Sequence, residues 1–415
     1  MTKIFSADLP ITQAFKLTSR LRKLNDSGDT FCQRLNLFVA AILFILSFLS
    51  YGVDVILAKD NEGVSVYCYC PAEFPTSRVH FTNSVCFTKG FYYLPFDEPL
   101  SIPESLRAVN DNDKDNEDEL LKYYPWVSHI LLLQATLFCI PRLLWSLGAI
   151  REGFHHVSAI DMMDRHIFGD KDNDNELKSK GVNNIENYLT RLIQLRDSAI
   201  CNSKLLPFIP TGYCYTVWFM ATEFLMIGNS VSQFYLLDFL LGINFTRFGI
   251  DYLSQVPNLL WEDHSRFPRT AFCDLKIRQH TNIHTYTVQC ALPSNMLNEK
   301  IFLLVWVMLL SVSAMNVLSF LHHLYTIQQM HLKTVEKINS YQLRTYFDTE
   351  KVGNVLTVKR FVYEYLKSDI LVYLWQLSKG HKPLTDDVTH RLWNRYVGGL
   401  NGEVQEEEEV CVKRM

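Results

Sequence analysis

Apolar residues along the chain gather in four long blocks, and polar stretches separate these blocks. The purest block, IFLLVWVMLLSVSAMNVLSFL at 301–321, contains no charged residue. An α-helix rises about 1.5 Å per residue, so about 20 apolar residues cross the roughly 30 Å hydrocarbon core of a bilayer. The pattern therefore predicts four membrane-spanning helices, at 35–56, 125–147, 211–241 and 301–323.

The segments between and beyond these blocks complete the predicted organisation of the chain. Apolar residues recur at helical spacing, with charges between them, in FVYEYLKSDILVYLWQL near the end, which indicates a helical domain rather than a fifth span. The last residues are acidic and are predicted to be disordered. The predicted segments outside the spans are 1–34 (amino-terminal segment), 57–124, 148–210 and 242–300 (loops), 324–401 (helical domain) and 402–415 (acidic tail).

The distribution of basic residues predicts the orientation of the spans. Residues 1–34 hold six Lys and Arg, whereas 59–122 hold six over almost twice the length, together with twelve acidic residues. Because cytoplasmic segments are enriched in Lys and Arg, the amino end is expected inside the cell. Four spans then place the carboxyl end inside as well, with 57–124 and 242–300 outside.

Cysteines supply an independent argument for the same orientation. Of the ten cysteines, five lie in the two loops assigned to the outside, namely Cys68, Cys70, Cys86, Cys273 and Cys290. Disulfides persist in oxidising compartments, so paired cysteines suit extracellular loops. Four paired cysteines allow three pairings, and the residues alone do not choose among them. No set of His and Cys stands at zinc spacing, so no metal site is expected.

The second span contains a helix breaker followed by a cation, Pro141 and Arg142, in the stretch LLQATLFCIPRLLW. Neighbouring helices in a membrane can satisfy the carbonyl that a proline leaves without a donor, and an arginine near a span end can reach the interface. Pro141 is interpreted either as a residue that only shapes packing or as a hinge for gating. Pro125 lies in the first turn, where its missing N–H costs nothing.

Glu223 is the costly residue of the third block, because a charge inside a membrane needs a partner or a function. Two interpretations stay open: a functional acid, or an acid paired with a polar group on another helix. The histidine pair His322–His323 flanks the end of the fourth span and is interpreted as a pair of interface residues.

Motif analysis excludes several classes of protein. The sequence contains no Walker A, Rossmann, GxSxG or HExxH motif, so an enzyme is not expected and no cofactor is predicted. The acidic runs at 111–122 and 170–181 lack the glycine and the final glutamate of a calcium loop. A net charge of −4 and the absence of a basic stripe argue against nucleic acid. Asn244-Phe245-Thr246 is a candidate glycosylation site.

Several stretches together resemble the innexins, the gap-junction proteins of invertebrates, and most closely the nematode branch. YYPWV at 123–127 is similar to the family signature at the head of the second span, and QATLFCIPRLLW continues it. The segment 267–306 resembles the second loop and fourth span of the family, and CYCPAEF at 68–74 resembles the start of the first loop. The match runs in order from about residue 28 to residue 396. Tyr69, Ser65 and Cys70 depart from the family pattern.

The resemblance implies a fold and an assembly. The fold would be an all-α membrane protein with four spans, disulfide-bonded extracellular loops of small β content and a helical cytoplasmic domain. Six to eight subunits, identical or mixed with other innexins, would surround a large pore. The ring would lie in the plasma membrane, in contact with lipid. Two rings would dock between adjacent cells, or a single ring would act as a hemichannel. By analogy with the family, Cys68 would pair with Cys290 and Cys86 with Cys273.

The resemblance also implies which residues line the pore. The amino-terminal segment would fold into the cytoplasmic mouth, and the first span with the start of the first loop would line the path. The expected pore-lining residues are polar or charged and are Thr2, Lys3, Asp8, Asp54, Asp60 and Glu62. Two other functions remain open: a non-conducting four-span adhesion or adaptor protein, and a subunit that works only in heteromeric innexin channels.

Overall fold

The computed structural model describes residues 30–60, 64–93, 120–151, 153–154, 174–197, 212–254, 267–345 and 355–414. Backbone contacts divide the chain into two units. The sheet unit comprises 35–141 and 225–317, and the tail unit comprises 1–34, 142–224 and 318–415. Each unit is described by itself.

Helices dominate the described residues. In chain order they are α1 (Phe31–Asp60), α2 (Thr76–Lys89), α3 (Val127–Arg151), α4 (Asp174–Asp197), α5 (Cys214–Leu241), α6 (Phe245–Ser254), α7 (Ser294–Thr345), α8 (Val355–Arg360) and α9 (Lys367–Arg414). A short 3-10 turn, Tyr124–Trp126, precedes α3, and a π-helical turn, Phe361–Leu366, joins α8 to α9. The helix α9 includes most of the acidic tail and ends at Arg414.

Four of these helices, α1, α3, α5 and α7, are long and apolar enough to cross a membrane. This confirms the prediction of four spans and of a mostly helical fold. One face of each helix is buried in the sheet unit, through residues such as Leu43, Leu131, Leu237 and Phe302, all fully buried. Other faces leave large apolar side chains such as Phe48 exposed. Such exposure is costly in water and suits a helix surrounded by lipid or by a second subunit.

A five-stranded antiparallel sheet lies in the sheet unit, which agrees with the small β content expected. Its strands are β1 (Tyr67–Tyr69), β2 (Phe91–Tyr92), β3 (Leu120–Leu121), β4 (Thr270–Gln279) and β5 (Asn282–Ala291), in the order β1-β5-β4-β2-β3. The hairpin β4–β5 is paired along its whole length, from Thr270 with Ala291 to Gln279 with Asn282. Its two turn residues include His280, whose φ of 56° is the positive value that tight hairpin turns require.

The tail unit has a core of its own, in which α4 lies against α9. Phe361, Leu366, Tyr373 and Leu392 are buried there. The buried carboxylate of Asp369, in the first turn of α9, accepts hydrogen bonds from the backbone N–H and the hydroxyl of Thr216, each at 2.9 Å. Thr216 lies in the first turn of α5, so a residue distant in sequence acts as the cap of a helix N-terminus.

Candidate functional site

Two disulfides join the cysteine-bearing loops into one module within the sheet unit. Cys68 is bonded to Cys290 and Cys86 to Cys273, which is the pairing that the resemblance implies. The first bond joins directly opposed residues of β1 and β5, and the second joins α2 to β4. Each bond links residues about 200 positions apart in sequence, so it strongly restricts the unfolded chain.

The module formed by the two disulfide-linked loops has a buried apolar core around the disulfides. Cys86, Phe91 and Ala271 are fully buried in it. Tyr124 also enters this core, with its ring edge-on to Phe91, and its hydroxyl donates to the backbone carbonyl of Ser65 at 3.1 Å. The segment that leads into α3 is therefore held by packing and by a hydrogen bond to the start of the first loop.

The neighbouring tyrosine fastens the same motif to the fourth span. The Tyr123 hydroxyl donates to Asn295 Oδ1 at 3.4 Å, and the Asn295 amide donates to the carbonyl of Pro268 at 2.9 Å. Burial raises the pKa of Tyr123 well above its ordinary value, so this hydroxyl remains a donor. The motif YYPWV thus positions the two loops, a role that the sequence did not reveal.

The sulfur atoms of Cys68, Cys86 and Cys290 lie within 4.8 Å of one another. All three belong to the disulfides, so they have no thiolate to offer a metal ion. Cys70 is a free, half-buried thiol beside the same core. Partial burial raises the pKa of the Cys70 thiol, which lowers its reactivity as a thiolate.

Of the six expected pore-lining residues, Asp54 is the one whose side chain the structure describes. Its half-buried carboxylate accepts a hydrogen bond of 2.6 Å from the hydroxyl of Ser294. Ser294 is the first residue of α7, where a negative charge is favourable next to the helix N-terminus. Asp60 is the last residue of α1, while Thr2, Lys3, Asp8 and Glu62 lie outside the described residues. A pore-lining role for these residues stays a prediction.

Glu223 is buried and paired, which supports the second of its two interpretations. Its side chain is 1% exposed and accepts hydrogen bonds from Thr30 at 3.1 Å and from Ser319 at 3.3 Å. Nδ1 of His323 lies 3.4 Å from the Glu223 carboxylate, and the His323 side chain is only 6% exposed. The histidine that the sequence assigned to the interface is therefore the partner of the intramembrane acid.

The Glu223–His323 pair connects the start of α1 to the tail helix α9. Thr30 directly precedes α1, and the ring of His323 is edge-on to Trp375 of α9 at 5.3 Å. The same Trp375 ring also contacts the Lys379 ammonium, which lies 3.8 Å from the centre of the ring. One chain of polar and aromatic contacts thus extends from the amino-terminal segment to the helical domain, all within the tail unit.

Pro141 is buried inside α3, and the helix continues beyond it to Arg151. The boundary between the two units of the chain falls between Pro141 and Arg142. A hinge role for Pro141 stays a prediction.

The candidate glycosylation residue Asn244 is exposed and directly precedes α6. The hydroxyl of Thr246, the third residue of this sequence motif, donates to the Asp238 carboxylate at 2.9 Å. Asp238 belongs to the last turn of α5, so the motif lies at the end of a span. Glycosylation of Asn244 stays a prediction.

These features define a polytopic membrane protein with four spans and two connecting loops that disulfides close into one covalent module. The Innexin family model matches residues 29–396, which is most of the 415-residue chain. The chain belongs to the innexin family, the proteins of gap-junction channels, and is a multi-pass membrane subunit of such channels.

Curated relatives agree with this assignment. The chain is 27% identical to Innexin unc-9 of Caenorhabditis elegans over 389 residues, which cover 91% of this chain and 95% of that protein. It is 25% identical to Innexin-19 of Caenorhabditis briggsae over 92% of this chain and 89% of the relative. Innexin-16 of Caenorhabditis elegans is 29% identical over 68% of this chain and 67% of its own length. The nematode resemblance expected from the sequence is confirmed.

Proposed function

We propose that this chain assembles, with copies of itself or with other innexins, into a ring of six to eight subunits around a central pore. Both termini would lie in the cytoplasm. The two disulfides support this orientation, since Cys68–Cys290 and Cys86–Cys273 require an oxidising compartment and four spans return the chain to its starting side.

The single observation that carries the proposed docking function is the covalent closure of both loops into one module. A surface ordered before binding loses less conformational entropy when it meets a partner. The hairpin β4–β5 presents exposed residues at its tip, among them Arg278, His280 and Ile283. In the proposed assembly this hairpin contributes to the contact between two rings on adjacent cells. A ring without a docked partner would act as a hemichannel.

The path of permeating ions would follow the amino-terminal segment and α1. Thr2, Lys3 and Asp8 would narrow the cytoplasmic mouth, and Asp54, Asp60 and Glu62 would lie toward the outer end. A wide pore of this kind passes ions and small metabolites, and the charges on its wall set a weak selectivity. The chain performs no catalysis in this proposal.

Pro141 is proposed as the bend of α3 during gating. A proline removes one helix hydrogen bond and prevents the close approach of the carbonyl four residues earlier. Its position inside a helix that continues to Arg151 supports this role, because α3 lacks one backbone hydrogen bond at that point.

Conductance and dye transfer between paired cells that express only this chain test the proposed function. We expect both, together with a ring of six to eight subunits in projection images of the purified protein. Current that appears only with a co-expressed relative would establish an obligate heteromeric subunit. Stable cell contacts without conductance under both conditions would overturn the channel proposal in favour of adhesion.

A further inference from the structure

Buried polar side chains occur on all four spanning helices of the sheet unit. On α1 and α7, Asn36 Nδ2 donates to Asn316 Oδ1 at 2.8 Å, and these residues are 4% and 1% exposed. The Asn316 amide also lies 3.4 Å from the Ser230 hydroxyl of α5. Because lipid offers no hydrogen bonds, polar groups inside a membrane bundle are costly unless they are paired.

Two fully buried glutamines lie near the same depth in the bundle. On α3, Gln134 is six residues beyond Ser128, whose carbonyl accepts from Ser47 of α1 at 2.7 Å. Consecutive spans run in opposite directions, so Gln134 lies opposite residue 41 of α1. Asn316 contacts both Asn36 of α1 and Ser230 of α5, which places Ser230 near the depth of residue 36. Gln233 follows Ser230 by three residues on a span that runs parallel to α1, so it lies near the depth of residue 39. At 1.5 Å per residue, the two glutamines differ in depth by about 3 Å.

These residues form what we name the polar layer, a band of buried and half-buried polar side chains across the bundle. Its members are Asn36, Gln134, Asn229, Ser230, Gln233, Ser313 and Asn316.

The hydrogen-bonding capacity of the polar layer is only partly used by protein atoms. Five of its side-chain atoms have less than 1 Å² of accessible surface and no hydrogen-bond partner among the described residues. They are Oε1 and Nε2 of Gln134, Oε1 of Gln233, Nδ2 of Asn229 and Oγ of Ser313. Gln134 and Gln233 are 0% exposed in the single chain, so neither lipid nor a neighbouring subunit can reach them. A buried amide left unpaired is destabilising, because it has lost its hydrogen bonds to water and gained none in return.

We propose that the polar layer is an internal water-binding site of the transmembrane bundle. The groups without a protein partner include donors, on Gln134 and Asn229, and acceptors, on Gln134 and Gln233. A cation would satisfy only the acceptors, whereas a water molecule both donates and accepts. Buried waters in proteins make about three hydrogen bonds with polar groups of this kind. The proposal is independent of docking and of conduction.

Methionine oxidation tests for the water directly. Met226 is 1% exposed, and its sulfur lies 3.8 Å from Asn36 Nδ2 at the polar layer. X-ray radiolysis of the purified oligomer makes hydroxyl radicals wherever water is bound. We expect Met226 to oxidise several-fold faster than Met330, which is 8% exposed but packs in the apolar core of the tail unit. Oxidation of Met226 no faster than that of Met330 would overturn the proposal.

The sign of a stability change provides a second test. Gln134→Met keeps the size of the side chain and removes its amide. If water links this amide to Gln233 and Asn229, the melting temperature falls, because those groups lose their shared partner. If the layer is dry, the substitution removes an unsatisfied amide and the melting temperature rises, which contradicts the proposal. Leu133→Met, on the exposed face of the same helix, is the control and should leave the melting temperature unchanged.

Discussion

Nδ1 of His323 lies 3.4 Å from Oε2 of Glu223, and the two side chains are 6% and 1% exposed. Removal of water penalises an unpaired polar or ionic group heavily, so each of these buried side chains needs the other as a partner. The hydroxyl groups of Thr30 and Ser319 complete the surroundings of the carboxylate. The pair therefore holds the start of α1 against the third and fourth spans.

We predict that Glu223 and His323 are energetically coupled. Thermal unfolding of Glu223→Gln, His323→Gln and the double variant should give a coupling free energy of about 0.5–3 kcal/mol, typical of residues in direct contact. The adjacent His322 is exposed and serves as the matched control, so Glu223→Gln with His322→Gln should be additive. Equal results for the two cycles would show that the contact contributes no stability.

The disulfide pairing leads to a second prediction. Mass spectrometry of non-reduced peptides should find Cys68 linked to Cys290 and Cys86 to Cys273, and a Cys68–Cys86 peptide would contradict the structure. Loss of one bond, in Cys86→Ser/Cys273→Ser, should lower the free energy of unfolding by about 2–5 kcal/mol. Surface expression and junctional conductance of this double variant should both fall sharply.

Cys70→Ser is the matched control for that experiment. Cys70 is a free thiol beside the same core, so its replacement removes no crosslink. Expression and conductance should stay near those of the unmodified chain. A loss equal to that of the double variant would mean that Cys70 takes part in the covalent framework.

A third prediction concerns the close approach of α3 and α5 in the tail unit. A Cβ atom added at Gly148 would lie 1.7 Å from Nε1 of the Trp218 ring. The indole is rigid and must move, so Gly148→Ala should cost about 1–3 kcal/mol of stability, as for other overpacked sites. Gly228→Ala on α5, where nothing lies within 4 Å, is the control and should not destabilise. Thermal unfolding of both variants checks this, and equal stabilities would contradict the packing described.

The sequence was sufficient to predict the spans and the framework of the loops. Long apolar blocks have few alternatives to a membrane helix, and the family resemblance supplied the cysteine pairing, which the residues alone left open among three arrangements. The prediction of the spans therefore rests on a strong local pattern, and that of the disulfide framework rests on a family pattern.

Contacts between distant side chains could not be predicted in this way. Glu223 and His323 lie in different apolar blocks, and nothing local shows that they face each other. Gln134 and Thr136 are isolated polar residues in an apolar run, so the sequence context does not say which of them faces the interior. The two tyrosines of YYPWV are aromatic residues at a span end, where a membrane-interface role is the usual interpretation. Tyr124 is buried in the core of the disulfide-linked loops and Tyr123 in the core of the spans, and both depend on packing by strands and helices far along the chain.

The last prediction tests the proposed hinge at Pro141. Alanine restores a backbone N–H that can bond to the carbonyl of Leu137, four residues earlier, and so stiffens α3 at this point. We expect Pro141→Ala to conduct but to change its voltage dependence and the rates of opening and closing, measured in paired cells. Pro125→Ala is the control, since Pro125 lies at the start of a helical turn where no hydrogen bond is regained. Its gating should remain unchanged. Identical gating of Pro141→Ala and the unmodified chain would leave Pro141 with a packing role alone.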